Sequence, residues 1–217
     1  MARIDQKYES LPVKDNDYWY YIRYEEGKQY PLHCRKKDNL ASPEEIMINI
    51  NELATGKQIY LVRGKSISRD NNWIAYAADT SGDRRSTIYV KNINTGQYLP
   101  DKISNTSDLA WANDNKTLYY TLNDHTVRSY KVMKHTMGTD PKSDKELYVE
   151  KDSTYAVELS ASKDNRYIFI TSSSTTTTEA APLNAAPLRP RCARPVPHKR
   201  RAPRAAGGLA LRLRERR

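Results

Sequence analysis

Four Asp-Asn pairs in this 217-residue chain are each followed by the same pattern of residues. The pairs begin at Asp15, Asp70, Asp114 and Asp164, at spacings of 55, 44 and 50 residues. Large, mostly apolar residues stand four and six positions beyond each Asp: Trp19 and Tyr21, Ile74 and Tyr76, Leu118 and Tyr120, Ile168 and Ile170. Asp and Asn bond to their own backbone in tight turns, and alternating apolar positions point to one face of a strand. Each copy therefore predicts a turn followed by a strand.

Further strands are predicted within each unit, because short β-rich segments flank Gly-containing turns. Three such pairs are expected: Tyr18–Glu25 with Tyr30–Arg35 across Glu26-Gly27, Ile46–Asn51 with Gln58–Val62 across Ala54-Thr55-Gly56, and Ile88–Ile93 with Gln97–Leu99 across Asn94-Thr95-Gly96. The only helical signal is one turn that Pro43-Glu44-Glu45 would open.

Several antiparallel strands in units of roughly 45 residues predict an all-β propeller. A β-sandwich is the alternative, although a sandwich does not require a pattern at the longer period. Residues 1–179 would supply about three to four blades, fewer than a closed propeller needs.

The composition changes abruptly after Glu179, and the formal charge of +10 is confined to the last 38 residues. Residues 1–179 contain 25 Lys+Arg and 25 Asp+Glu, whereas residues 180–217 contain 11 and 1. All 16 Tyr and all three Trp precede the change. We therefore predict one propeller region over 1–179 and a disordered Arg/Ala/Pro-rich tail over 180–217, with a short helix possible at Leu209–Arg217.

Two interpretations of the tail compete. Its basic residues would suit an arm that binds nucleic acid or an anionic membrane: Arg189, Arg191, Arg194, Lys199, Arg200, Arg201 and Arg204. The alternative, which we favour, is a reading-frame shift after Glu179, because Arg outnumbers Lys ten to one in the tail.

No residue of the chain is assigned a catalytic, cofactor-binding or metal-binding role. Cys34 and Cys192 lack the spacing of a zinc site or a disulfide framework. The opening residues lack an apolar targeting segment, which predicts a cytoplasmic protein. A Gly-x-Ser-x-Gly motif does not occur, so Ser66 and Ser68 are expected to be strand or turn hydroxyls. Three histidines are expected to be structural: His33, His125 and His135.

Other polar and aromatic groups also have structural explanations. Turns are expected to explain most of seven carboxylates that could otherwise suggest Ca²⁺ ligands: Asp79, Asp83, Asp114, Asp124, Asp140, Asp144 and Asp164. The aromatic residues Trp19, Tyr20, Tyr21, Trp111, Tyr119 and Tyr120 are expected to pack between strands rather than to stack on bases. The run Thr175–Thr178 is expected to form a polar strand or loop.

Five stretches of the sequence resemble the propeller of the prolyl oligopeptidase family of serine peptidases, most closely its oligopeptidase B branch. They are Tyr20–Pro31, Ala110–Asp114, Leu118–Tyr120, His135–Thr139 and Tyr148–Asp152. The resemblance covers about residues 2–179 and implies that this region is part of a seven-bladed lid on an α/β-hydrolase domain. It also implies a helical segment before Met1, and a catalytic Ser, Asp and His beyond Glu179.

The resemblance implies a parent enzyme that cleaves short peptides after Arg or Lys, with the propeller excluding folded proteins. This chain alone is expected to be inactive, to need no cofactor and to self-associate. A free-standing β-rich binding module with a basic arm is the alternative, and a regulatory partner of a full-length peptidase is a third possibility.

Overall fold

The computed structural model describes residues 8–164 and 166–184, and these residues form strands almost throughout. The helical elements are α1 at Ile50–Leu53 and a 3-10 turn at Pro141–Ser143. The strands are β1 Val13–Asp15, β2 Tyr18–Arg23, β3 Leu32–Lys37, β4 Glu44–Asn49, β5 Leu61–Ile67, β6 Trp73–Asp79, β7 Ser86–Asn92, β8 Tyr98–Trp111, β9 Thr117–Asn123, β10 Ser129–Thr136, β11 Lys145–Val149, β12 Ala156–Ala161, β13 Tyr167–Ser173 and β14 Thr178–Asn184. Within the described part of the chain, neither helix is long enough to cross a membrane.

The strands form three antiparallel sheets of four, seven and three strands. The seven-stranded sheet is two blades joined by β8, whose first part pairs with β7 and whose second part pairs with β9. We number the blades I (β1–β4), II (β5–β7 and β8 up to Thr106), III (β8 from Thr106, and β9–β11) and IV (β12–β14). The prediction of an incomplete propeller with three to four blades is confirmed.

The Asp-Asn pairs lie between the first and second strands of the blades, as the repeat predicts. Asn16, Asn71 and Asn115 have positive φ angles of 51°, 59° and 56°. Asparagine tolerates this left-handed conformation better than other non-glycine residues, which explains why it recurs there. Asn165 lies outside the described residues.

In blades II to IV, the repeated positions four and six residues after the Asp face the preceding blade. Ile74 and Tyr76 pack against Met47 and Ile48 of blade I, and Leu118 and Tyr120 join Ala75 and Ala77 of blade II. The intervening residues are buried too, because a further blade covers the opposite face. Each inter-blade core is thus built from alternate residues of the same strands.

Two local predictions are wrong. Ile46–Asn51 and Gln58–Val62 do not form a hairpin, because β4 belongs to blade I and β5 begins blade II. The helical turn does not open at Pro43-Glu44-Glu45, since Glu44–Asn49 is a strand; it forms at Ile50–Leu53, where the Asn49 side chain accepts from the Asn51 and Glu52 N–H groups. The other two hairpins are confirmed.

The predicted domain boundary at Glu179 falls inside β14, which continues to Asn184. Residues 180–184 pair with Tyr167–Thr171, so this part of the predicted disordered tail is a strand. Ala180, Ala181 and Leu183 are small or apolar, and Pro182 lies on an edge strand, where a missing N–H is tolerated. The remainder of the predicted tail, including the helix at Leu209–Arg217, lies outside the described residues.

Candidate functional site

The first strands of three blades line a single cleft of about 340 Å³. Its walls include Val13 and Asp15 of β1, Lys65 and Ser66 of β5, and Ala161 of β12. Strands from non-adjacent blades can share a cleft because the blades are arranged around an axis, with their first strands innermost. We call this space the axial cleft.

A Lys–His pair lies beside the axial cleft. Lys65 Nζ is 2.7 Å from His33 Nδ1, and burial lowers the pKa of Lys65. Burial, and then the Lys65 charge, lower the pKa of His33 to about 4. His33 is therefore neutral near pH 7, and its Nδ1 accepts a hydrogen bond from the lysine. An imidazole in this state acts as a hydrogen-bond acceptor that links blades I and II.

The next part of the cleft wall joins blades I and II through the left-handed Asn71. Its Oδ1 accepts from the Tyr20 hydroxyl at 2.9 Å, and its carbonyl oxygen accepts from Arg35 Nη1 at 2.6 Å. The Arg35 side chain is 1% exposed, pairs with Glu45 at 2.7 Å and lies over the Tyr18 ring. Burial raises the pKa of Tyr20 to about 12, so its hydroxyl stays protonated and keeps donating.

The same kind of link joins blades II and III. Asn115 Oδ1 accepts from the backbone N–H of Asp70 at 3.1 Å. Asn71 and Asn115 thus each adopt the left-handed conformation of their own turn and bind the preceding blade through the side chain. The repeat reveals the first role but not the second, because the partners lie 45 and 51 residues away.

His135 is the most enclosed of the candidate catalytic residues, and both of its ring nitrogens are occupied. Nδ1 lies 2.7 Å from Asp144 Oδ1 and Nε2 lies 3.1 Å from Asp101 Oδ2. The histidine is fully buried, Tyr120 donates to Asp144 at 2.7 Å, and Gly138 N donates to Asp101 at 2.6 Å. With no serine hydroxyl bonded to the ring, this cluster ties β8, β9 and β10 to the segment before β11. No sequence signal connects Asp101 with His135.

The remaining histidine and the two serines also have structural places. The His125 carbonyl oxygen accepts from Arg85. Ser66 Oγ accepts from the Trp111 N–H, which links blades II and III. Ser68 Oγ donates to Asp70 and accepts from the Trp73 N–H, which closes the turn. The prediction that Ser66 and Ser68 are strand and turn hydroxyls is confirmed.

Six of the seven candidate carboxylates cap turns: Asp79, Asp83, Asp114, Asp124, Asp140 and Asp164. Asp79 is the most buried of them, and its carboxylate accepts from the N–H groups of Ser81, Gly82 and Arg84 and from Arg63. Burial would raise the pKa of Asp79, but these donors outweigh it and hold the pKa at about 2. Asp144 is the exception, because its side chain binds His135 and Tyr120. Among the described residues, no group of three or more His, Cys, Asp or Glu could hold a metal ion.

The aromatic residues pack between strands and blades. Trp111 and Tyr120 belong to the core between blades II and III, and Tyr119 to the core between blades III and IV. Trp19 donates to the Asp38 carbonyl oxygen, and Tyr21 is buried against Leu32 and Cys34. The run Thr175–Thr178 lies in the exposed turn between β13 and β14, and its last residue begins β14. Both predictions are confirmed, whereas Cys192 and the basic residues from Arg189 onward lie outside the described residues.

Comparison with known proteins identifies the architecture. Residues 1–190 match the N-terminal β-propeller domain of prolyl oligopeptidase. The chain belongs to the prolyl oligopeptidase family. The match to the family continues beyond Glu179 to residue 190. Strand β14 also continues beyond Glu179, to Asn184.

Individual members of the prolyl oligopeptidase family are similar over most of this chain. Dipeptidyl aminopeptidase BI of Pseudoxanthomonas mexicana is 36% identical over an alignment of 196 positions that covers 82% of this chain and 27% of the relative. Protease 2 of Moraxella lacunata is 31% identical over 87% of this chain and 29% of the relative. Oligopeptidase B from Leishmania major superimposes with a TM-score of 0.80 and 30% identity, covering 84% of this chain and 26% of that structure. The chain thus spans under a third of the length of these relatives and corresponds to part of their propeller.

Proposed function

We propose that this chain is part of the substrate-gating propeller of a cytoplasmic serine oligopeptidase that cleaves short peptides after Arg or Lys. The observation that carries the proposal is the axial cleft, formed by first strands of a propeller whose family is that of the prolyl oligopeptidases. In a closed propeller, a passage between the innermost strands would admit an extended peptide and exclude a folded domain. The chemistry would belong to a hydrolase domain, since the 217 residues contain no Gly-x-Ser-x-Gly motif.

The residues around the axial cleft suit gating better than chemistry. His33 is neutral and bonded to Lys65, and the Tyr20 hydroxyl is committed to Asn71. These contacts hold blades I and II together at the cleft, so they fix its width. We assign the four residues a structural role in the gate.

A chimera tests the gating function. Residues 8–179 would replace the corresponding segment of oligopeptidase B from Leishmania major, with the hydrolase domain of that enzyme retained. We expect the chimera to cleave a short Arg-containing peptide and to leave the same sequence uncut inside a folded protein. Cleavage of the folded substrate, with the parent enzyme as control, would refute the gating role.

The isolated chain tests where the chemistry lies. We expect purified residues 1–217 neither to hydrolyse an Arg-containing amide nor to react with a serine-directed phosphonate. Labelling together with hydrolysis would show that the chain contains its own nucleophile.

The origin of residues 180–217 is a separate question that the coding DNA answers. If they result from a reading-frame shift, another frame near codon 179 resumes Tyr-rich, strand-patterned sequence and later encodes a Gly-x-Ser-x-Gly motif. Uninterrupted coding of the tail, with no such sequence in either alternative frame, would favour an evolved basic arm. A basic arm predicts binding to nucleic acid that weakens steeply with salt and disappears when the tail is deleted.

A further inference from the structure

One lysine of the axial cleft has a neutral partner instead of a negatively charged one. Lys65 Nζ lies 2.7 Å from His33 Nδ1, and His33 is neutral near pH 7. Within residues 8–164 and 166–184, no ion pair includes Lys65. No carboxylate of these residues therefore holds Lys65 in its ammonium form.

The contact between Lys65 and His33 has apolar surroundings on the side of blade I. His33 is directly opposite Ile22 on one neighbouring strand and Ile48 on the other, and Ile48 is 0% exposed. Directly opposite residues lie on the same face of a sheet, so both isoleucines flank the imidazole. Apolar surroundings disfavour a charged amine, and burial accordingly lowers the pKa of Lys65. The neutral amine is the nucleophilic form of a lysine.

Lys65 is accessible from the axial cleft. It lines this cleft of about 340 Å³ and retains exposed surface. Arg69 lines the same space, where Asp15 is the one carboxylate among the described lining residues. Cationic side chains thus outnumber carboxylates in the cleft, which favours an anionic ligand.

We propose that Lys65 is a covalent modification site for small aldehydes that carry an anionic group. The Nζ lone pair of Lys65 attacks the aldehyde carbon and forms a C–N bond, while the carbonyl oxygen takes up a proton. Water then leaves with this oxygen and both hydrogens of the neutral amine, which gives an imine without any oxidant or reductant. Arg69 binds the anionic group, and the adduct occupies part of the axial cleft.

Labelling of the full chain with pyridoxal phosphate tests the proposal. Borohydride converts the imine to a stable amine, and peptide mass mapping gives the labelling rate at each lysine. Lys131 is the internal control, because its bond to Glu146 at 2.6 Å raises the pKa of Lys131. We expect labelling at Lys65 to be roughly tenfold faster than at Lys131. Equal rates at the two lysines would overturn the proposal.

Two substitutions of His33 test whether the missing counter-charge makes Lys65 reactive. His33→Gln keeps a neutral acceptor beside Lys65, so fast labelling should persist. His33→Glu supplies a carboxylate that favours the ammonium form, and we expect the rate at Lys65 to fall to that at Lys131. Circular dichroism checks that each variant is folded. An unchanged rate at Lys65 in folded His33→Glu would refute the assignment.

Arg69→Gln tests the anionic class of the aldehyde. Arg69 is exposed and donates to Asn113 at 3.4 Å, so its replacement should leave the fold intact. We expect labelling of Lys65 by pyridoxal phosphate to slow about threefold, because a cation is lost from the cleft. Labelling by pyridoxal, which lacks the phosphate, should keep its rate. The same response to both aldehydes would refute the role of Arg69 and the preference for an anionic group.

Discussion

At the scale of single residues, the structure depends on side chains that satisfy a turn and a second element together. Asn71 adopts a φ of 59° in its own turn while its Oδ1 binds Tyr20 of the preceding blade. The Asp79 carboxylate accepts hydrogen bonds from backbone N–H groups of its own turn and also pairs with Arg63. Substitutions at such positions should lower the free energy of unfolding by more than the loss of the turn interaction alone would.

Asn71 allows the two contributions to be separated. Asn71→Gly keeps the left-handed conformation but loses the bond to Tyr20, so we expect unfolding to become easier by about 1 kcal/mol. Asn71→Ala also places a residue with a Cβ in the left-handed conformation, so we expect it to lower the free energy of unfolding by about 1 kcal/mol more than Asn71→Gly. Chemical denaturation measures both effects.

Tyr20→Phe completes a double-mutant cycle with Asn71→Gly. Because both changes remove the same hydrogen bond, the double variant should be about as stable as the less stable single variant. Strict additivity would show that the Tyr20–Asn71 contact contributes nothing.

Asp79 predicts a pH dependence of stability. Its pKa of about 2 in the folded protein lies below the ordinary value of 3.8, so its stabilising effect is complete above pH 4. The effect is lost as the pH falls from about 4 through about 2, because the protonated group no longer accepts as an anion. Asp79→Asn should lower the free energy of unfolding at pH 7 by roughly 1 to 2 kcal/mol.

The difference between Asp79→Asn and the natural chain should shrink as the pH falls below 4. Asp83→Asn, on the exposed side of the same turn, is the control and should change stability little. Denaturation curves at pH 7 and pH 3 provide the comparison. A difference that stays constant over this range would contradict the assignment.

At the scale of elements, the second strands of blades II and III, β6 and β9, are buried on both faces. In β6, Ile74 and Tyr76 face blade I, while Ala75 and Ala77 face blade III. The small alanines on one face leave room for Trp111 and Ile103. This alternation of large and small residues lets successive blades interlock.

The strand β14 spans the change in composition at Glu179, so truncated chains can test where the folded region ends. A chain that ends at Asn184 should be as stable as the full chain. One that ends at Glu179 loses the pairing of residues 180–184 with β13 and the packing of Leu183 beside Ile170. We expect this shorter chain to be less stable by roughly 2 kcal/mol, measured by thermal or chemical unfolding. Equal stability of the two truncated chains would place the domain boundary at Glu179 after all.

At the scale of the whole molecule, the described blades do not close, and each end of the stack presents a sheet face. The end face of blade I has Tyr21, Leu32 and Cys34 buried beneath the Arg23–Glu44 pair, with Ile46 44% exposed. A face of this kind, with unpaired strand edges, favours self-association.

We expect sedimentation velocity to show reversible oligomers whose population rises with protein concentration. Ile46→Lys places a charge on the end face and should weaken association. Leu40→Lys is the control, because Leu40 is similarly exposed but lies in the turn between β3 and β4. A monodisperse monomer that melts cooperatively would refute the prediction of self-association.

The sequence by itself determined the blade unit, because its causes are local. An Asp-Asn turn and alternating large residues specify a turn and a strand within about eight residues, and four copies specify a propeller. The sequence alone could not show that β4 and β5 belong to different blades rather than to one hairpin. The same kind of Gly-containing turn occurs in both kinds of connection.

Only the tertiary structure decided which distant groups meet. Asp101 reaches His135 across 34 residues, Lys65 reaches His33 across 32, and β8 crosses between blades at Asn105. Such pairs leave no periodic signal, since each depends on how two blades pack rather than on spacing along one strand. The packing of blades around an axis also created the axial cleft, so the feature on which the proposed function rests appears only when the blades come together.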